Sequence, residues 1–209
     1  MLQESVQKFV QKNYEFATRT KIIASEKGYS KENWELFAEL GWLTVPFCEE
    51  DGGFGGSAVD LTVMMDEFGK ANLVEPFTPT AILGGGLVSA LGEKGQKTEL
   101  LGPLMEGKLQ LACAYAETGS RFNLSNVTTT ATVDGDQVKL DGEKINVLNG
   151  SNADKLLVVA RESGAQTDRN GISIFLVDNG CDGLSIQPYT NVDGKKAAQI
   201  SFASVSVPL

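Results

Sequence analysis

DGDQVKLDGEKINVLNGSNADKLLVVAR, residues Asp134 to Arg161, is the stretch whose reading decides the fold. Asp134-Gly135-Asp136 stands between the alternating faces Thr130/Thr132 and Val138/Leu140, which predicts a β-hairpin. Asp141-Gly142 marks a further turn, Asn149 to Asn152 is a polar loop, and Leu156 to Ala160 is an apolar run. A strand broken by such a loop delivers a backbone edge to a ligand, yet this one carries Val147 and Leu148 where a polar ligand needs a hydroxyl.

Outward from this stretch the same period-two pattern continues. Strands are predicted over residues 109–116, 128–133, 137–145, 156–161, 172–177, 184–187 and 197–202, with turns at Asp182-Gly183 and Asp193-Gly194. Upstream of Leu109 the period is helical. Leu2, Val6, Phe9 and Val10 fall on one face of a helix extending to about Ala24. Ser30 can cap a second helix that turns Trp34, Phe37 and Ala38 inward and ends at Gly41. Leu61, Met64, Met65 and Phe68 give a third, with core packing as the reading of the methionines. Two more helices are predicted over 79–91 and 97–105. Helices followed by strands give an α+β chain: an all-α helical domain over 1–108, then an antiparallel β-barrel or sandwich over 109–209.

Composition narrows the chemistry. With 209 residues, 42% apolar and 22% charged, the chain has an ordinary globular balance. No run reaches the roughly 18 apolar residues of a membrane span, so no membrane role is expected. The start lacks a signal-peptide layout, which predicts a cytoplasmic protein. A net charge of −9 with scattered lysines and arginines argues against nucleic acid. The total absence of histidine removes imidazole acid–base chemistry and the Ser-His-Asp and Cys-His mechanisms. Cys48, Cys113 and Cys181 are dispersed and read as reduced packing residues, so no metal site is expected. Gly52, Gly53, Gly55 and Gly56 permit tight turns but lack dinucleotide-fingerprint spacing. GQKTE at Gly95 to Glu99 resembles the end of a phosphate loop, but Gln96 separates the glycine from Lys97.

In order along the chain, LGWLTVPFCEEDGGFGG (Leu40–Gly56), LACAYAETGSRFNLSNVTTTA (Leu111–Ala131), the quoted Asp134–Arg161 block and GISIFLVD (Gly171–Asp178) resemble the acyl-CoA dehydrogenases. Each motif is weak alone; their joint order over nearly the whole chain is specific. Within that family, Gly171–Phe202 resembles the small subunits of two-subunit enzymes such as pimeloyl-CoA dehydrogenase. The resemblance implies FAD, an acyl-CoA substrate, a homo- or hetero-oligomer with a related subunit, and α,β-dehydrogenation. It also implies that this chain forms one wall of the flavin and thioester cleft. The expected cofactor-facing positions are Tyr115, Ala116, Phe122, Asn146 and Leu148.

At those positions the sequence departs from the family pattern. The threonine of its T-E-P motif falls on Ala116, while the glutamate is kept as Glu117. The serine and aspartate of G-S-D fall on Phe122 and Asn123, and the Trp and Thr of W-I-T on Asn146 and Leu148. The main-chain N–H groups of Tyr115 to Glu117 survive any substitution. The family's C-terminal helical bundle, which carries the catalytic glutamate, has no counterpart before Leu209, and the first helix begins a few residues inside the family's own. The chain is therefore expected to be a fragment that contributes part of the cleft without a catalytic residue; the alternative is a non-catalytic subunit that partners a catalytic paralogue. Ordinary readings stand beside these: Glu117 as a structural carboxylate, Lys144 as a salt-bridging strand residue, Arg121 as a solvated loop arginine, Tyr115 as core.

Overall fold

A computed structural model describes residues 2–209. The chain divides into two compact units, the first ending at Leu109 and including the turn Asn191–Lys195, the second comprising Gln110–Thr190 and Lys196–Leu209.

Among the described residues the first unit holds six α-helices: α1 (Leu2–Asn13), α2 (Phe16–Ala24), α3 (Lys31–Glu39), α4 (Ala58–Lys70), α5 (Gly86–Leu91) and α6 (Lys94–Met105). The single long helix expected at the start is two. The Asn13 side-chain Nδ2 donates back to the Phe9 carbonyl at 3.1 Å at the end of α1, and Tyr14 is buried at the break. Ser30 caps α3 by accepting from the Asn33 N–H, and Gly41 closes the helix end at φ 73°. The helix expected over 79–91 is a π-helical stretch, Thr78–Gly85, continued by α5. Of the methionine pair, Met64 is buried and Met65 exposed.

The core of this unit is aromatic. Phe9, Trp34, Phe37, Trp42, Phe68 and Phe77 form a continuous cluster in which Phe37 and Phe68 stack at 5.5 Å. Each such ring stabilises by about 1.5–3 kcal/mol through burial. The glycine-rich segment serves this packing. Gly53 N–H donates to the Cys48 carbonyl, Gly55 to Phe47 and Gly56 to Val45, so the loop spends its donors on its own backbone. A Cβ on Gly53 would stand 2.2 Å from the Phe47 carbonyl oxygen, which is why only glycine fits there.

The second unit is one seven-stranded sheet: β1 (Leu111–Ala114), β2 (Thr130–Asp134), β3 (Gln137–Leu148), β4 (Lys155–Arg161), β5 (Ile172–Asp178), β6 (Leu184–Thr190) and β7 (Lys196–Pro208). The order is β1-β4-β2-β3-β7-β6, with β5 on β4. The sheet is mixed rather than wholly antiparallel, because β1 runs parallel to β4 and β2 meets β4 in parallel at Thr130–Arg161. It curls about one apolar cluster that includes Leu140, Val147, Leu156, Val158, Val177, Ile200, Phe202 and Val205.

β3 and β7 form the longest ladder, and it is irregular twice. Between Lys144 and Val147, β3 carries one residue more than β7, whose partners there are Ile200 and Ala198. Asn146 absorbs the extra residue at φ 48°, a left-handed conformation that asparagine tolerates. The bulge shifts the alternation by one. Val138, Leu140 and Lys144 point inward before it, and Val147 after it. β3 therefore runs on to Leu148 instead of stopping at Ile145.

Candidate functional site

The segment 115–129 leaves β1 and crosses to β2. It is held against β3 at its start: the Ile145 N–H donates to the Ala116 carbonyl at 2.8 Å. One residue on, the Glu117 carboxylate meets the Lys144 ammonium at 2.6 Å, with both side chains buried. Glu117 Oε2 also accepts from the Thr128 N–H at 2.6 Å and the Thr128 hydroxyl at 2.5 Å, and Oε1 from the Thr129 N–H at 3.0 Å. An ionised carboxylate offers about four acceptor sites, and all of them are filled. Burial pushes this carboxyl up, but Lys144, Thr128 and Thr129 outweigh it and hold the pKa down at about 2. A carboxylate so low and so fully engaged does not accept a proton at neutral pH. Of the two ordinary readings made from sequence, the structural carboxylate and the salt-bridging lysine, each supplies the other's partner.

The five expected cofactor-facing residues divide. Ala116 is half-buried and its carbonyl meets Ile145, after which the exposed Asn146 and the half-buried Leu148 follow on β3. Tyr115 is exposed rather than core. Phe122 is fully exposed, at 100%, on the outer part of the loop, next to Arg121 at φ 49°. Ala116 is thus held at Ile145, the residue before Asn146 on β3, while Phe122 lies on the exposed part of the loop.

The far end of that loop is fixed by a residue that sequence reading passed over. Arg161, at the end of β4 and only 7% exposed, donates to six main-chain carbonyls. Those of Ser125 and Val127 belong to the loop; those of Ser163, Gln166, Asp168 and Asn170 belong to the β4–β5 connection. No spacing in the sequence signals this, because the acceptors are backbone atoms.

Whether these residues fit the implied FAD turns on the donor set. Ala116 and Leu148 present no side-chain donor, and the Phe122 ring offers none. The Glu117 N–H is already engaged by the Ser120 hydroxyl at 3.1 Å. The Ala116 N–H is engaged by no described residue, and Asn146 stands exposed at the bulge. These side chains therefore supply none of the hydroxyl contacts of the family pattern, and the Ala116 N–H is the donor left to meet a flavin edge.

In the helical unit an open hollow of about 730 Å³ is lined by residues including Glu50, Asp51, Lys94, Lys97 and Thr98. Lys97 and Thr98 of the GQKTE near-match lie on its wall. The Gln96 side chain accepts from the Glu93 N–H at 2.9 Å and the Glu93 carboxylate caps the helix in return, so an acid occupies the place where a phosphate would bind. The three cysteines are free thiols. Cys113 is buried, and burial pushes its thiol up to about 12, whereas Cys48 is exposed rather than packed. Among the described residues no helix is long and apolar enough to cross a membrane, and no cluster of three metal-ligating side chains occurs.

Along the chain a helical unit is followed by a curled mixed sheet with a bulged strand. Residues 1–108 match the acyl-CoA dehydrogenase N-terminal domain and residues 112–205 the acyl-CoA dehydrogenase middle domain, so the chain belongs to the acyl-CoA dehydrogenase family. The probable acyl-CoA dehydrogenase YngJ of Bacillus subtilis is 28% identical over 213 residues, covering 100% of this chain and 56% of YngJ. The Tcur3481-Tcur3483 steroid ACAD superposes with a TM-score of 0.86 at 27% identity, covering 99% of this chain and 54% of that one. The ChsE4-ChsE5 complex of Mycobacterium tuberculosis gives 0.85 at 25%, covering 99% and 53%. The chain thus spans about half the length of the relatives it matches.

Proposed function

We propose that this chain supplies the N-terminal domain (1–108) and middle domain (109–209) of a cytoplasmic FAD-dependent acyl-CoA dehydrogenase. Tyr115, Ala116, Phe122, Asn146 and Leu148 are the positions that face the flavin and the acyl-CoA thioester. When bound, FAD supplies the hydride acceptor for α,β-dehydrogenation of the acyl-CoA. The chain's own part is to orient: Ala116 and the β3 bulge present a fixed main-chain edge, and the apolar side chain of Leu148 excludes water.

One observation carries the assignment of roles. Glu117 is the only buried carboxylate of the second unit among the described residues, and four donors consume it. The acceptor of the α-proton therefore comes from residues beyond this sequence or from a related subunit. Purified alone and mixed with acyl-CoA thioesters and an artificial electron acceptor, the chain gives no turnover. Measurable acceptor reduction would overturn this.

A second reading is favoured by Ala116, Phe122 and Leu148, which all lack the hydroxyls expected at their positions. Here the chain is a non-catalytic subunit that assembles with a catalytic paralogue. Two of the similar solved structures carry paired names, Tcur3481-Tcur3483 and ChsE4-ChsE5, and the second is a complex. Flavin content separates the readings. A protein that purifies yellow on its own supports the first; colour that appears only on co-expression with a related subunit supports the second.

A further inference from the structure

We infer that the buried Glu117–Lys144 pair is a positioning device: it locks the crossover segment onto the β3 bulge and thereby gives the Ala116–Asn146–Leu148 surface one geometry. The inference rests on the reading of that surface as the flavin-facing one.

The argument starts from placement. Lys144 lies two residues before Asn146 on β3, and Glu117 lies one residue after Ala116 on the crossover segment. The two segments also meet near this point through the main-chain bond from Ile145 N–H to Ala116 C=O. The ladder with β7 changes register between Lys144 and Val147. At that change the ion pair ties β3 to the crossover segment. Lys144 is the last inward residue before the parity shift, and Val147 is the next. The ammonium therefore fixes the point at which β3 changes faces, and the carboxylate fixes the partner segment to that point.

A simple core would not call for this arrangement. A buried ion pair is a poor source of net stability, and apolar replacements of both partners are often tolerated or stabilising. Its distinct capability is geometric specificity, because a short charge-assisted hydrogen bond tolerates little displacement. Glu117 is further oriented by Thr128 and Thr129, so the carboxylate cannot follow Lys144 if the strand slides. The lysine, not the flavin position itself, thus sets where Ala116 stands relative to Asn146.

Two variants test this. Lys144→Met alone strands a buried carboxylate and can fail to fold. Glu117→Gln with Lys144→Met removes both charges and keeps the packing. On the full chain, hydrogen exchange of the Ile145 amide is followed with the Leu140 amide of the same strand as control, and FAD binding is titrated by flavin fluorescence. In the double variant the Ile145 amide exchanges at least tenfold faster while Leu140 is unchanged, and the dissociation constant for FAD rises at least tenfold. Unchanged exchange at Ile145 overturns the inference. Faster exchange with unchanged FAD affinity also overturns it, leaving the pair a purely structural contact. If the unsubstituted chain binds no FAD, the reading of the surface fails and the inference falls with it, a result distinct from the other two.

Discussion

The Tyr14 hydroxyl donates to the Glu75 carboxylate across 61 positions of sequence, and both side chains are buried. Asn33 of α3 donates to the other carboxylate oxygen at 2.8 Å, and the Val74 N–H donates to the Tyr14 oxygen at 3.0 Å. The network joins the α1–α2 break, α3 and the segment after α4.

Burial raises the Glu75 carboxyl, and the Tyr14 and Asn33 hydrogen bonds only partly oppose it. Its folded pKa therefore lies above its unfolded one, and the stability linked to it is present below the unfolded value and lost as pH rises through the folded value. Tyr14→Phe removes a donor to the charged form. It costs about 1–3 kcal/mol where Glu75 is ionised, and the deficit shrinks as pH falls through the raised folded pKa. Urea unfolding across that pH range measures it; an equal deficit throughout would refute the charge dependence.

Glu117 behaves oppositely. Its folded pKa is held down at about 2, so its contribution is present above the unfolded value and lost as pH falls through about 2. Acid unfolding of the unsubstituted protein includes this loss, on the order of 3 kcal/mol. The double variant Glu117→Gln with Lys144→Met lacks it, so its stability is flatter between pH 5 and pH 2 in chemical denaturation.

Arg161→Leu leaves six carbonyls without their shared donor. A loss of at least about 3 kcal/mol follows from hydrogen bonds to a charged group. Limited proteolysis should cut first within 123–128 and 163–170, the two segments that the guanidinium ties together. Cleavage elsewhere first would show that the loops have other anchors.

Two glycines predict opposite signs. Gly53→Ala drives a Cβ to 2.2 Å from the Phe47 carbonyl oxygen and destabilises by more than about 2 kcal/mol. Gly69→Ala, inside α4 with open space around it, stabilises by roughly 0.5–1 kcal/mol. Thermal melts of both proteins decide it.

Periodicity made the helical and strand halves legible because it is a local property. Ser30, Gly41 and the Asp134–Asp136 turn act through their own backbone and could be read directly. The end of β3 could not: Asn146 breaks the alternation, and only pairing with β7 shows that the strand continues. Parallel pairing of β1 with β4 was equally hidden, since both strands look the same in either direction.

The sequence by itself determined the order of helices and strands, the absence of imidazole chemistry and the family pattern with its missing hydroxyls. Only the tertiary structure decided what the charged residues do. Glu117 and Lys144 stand 27 positions apart, and whether a carboxylate is a base or an anchor depends on which donors fold around it. Those donors are a lysine, a hydroxyl and two main-chain N–H groups brought together by the sheet, and no local signal records them.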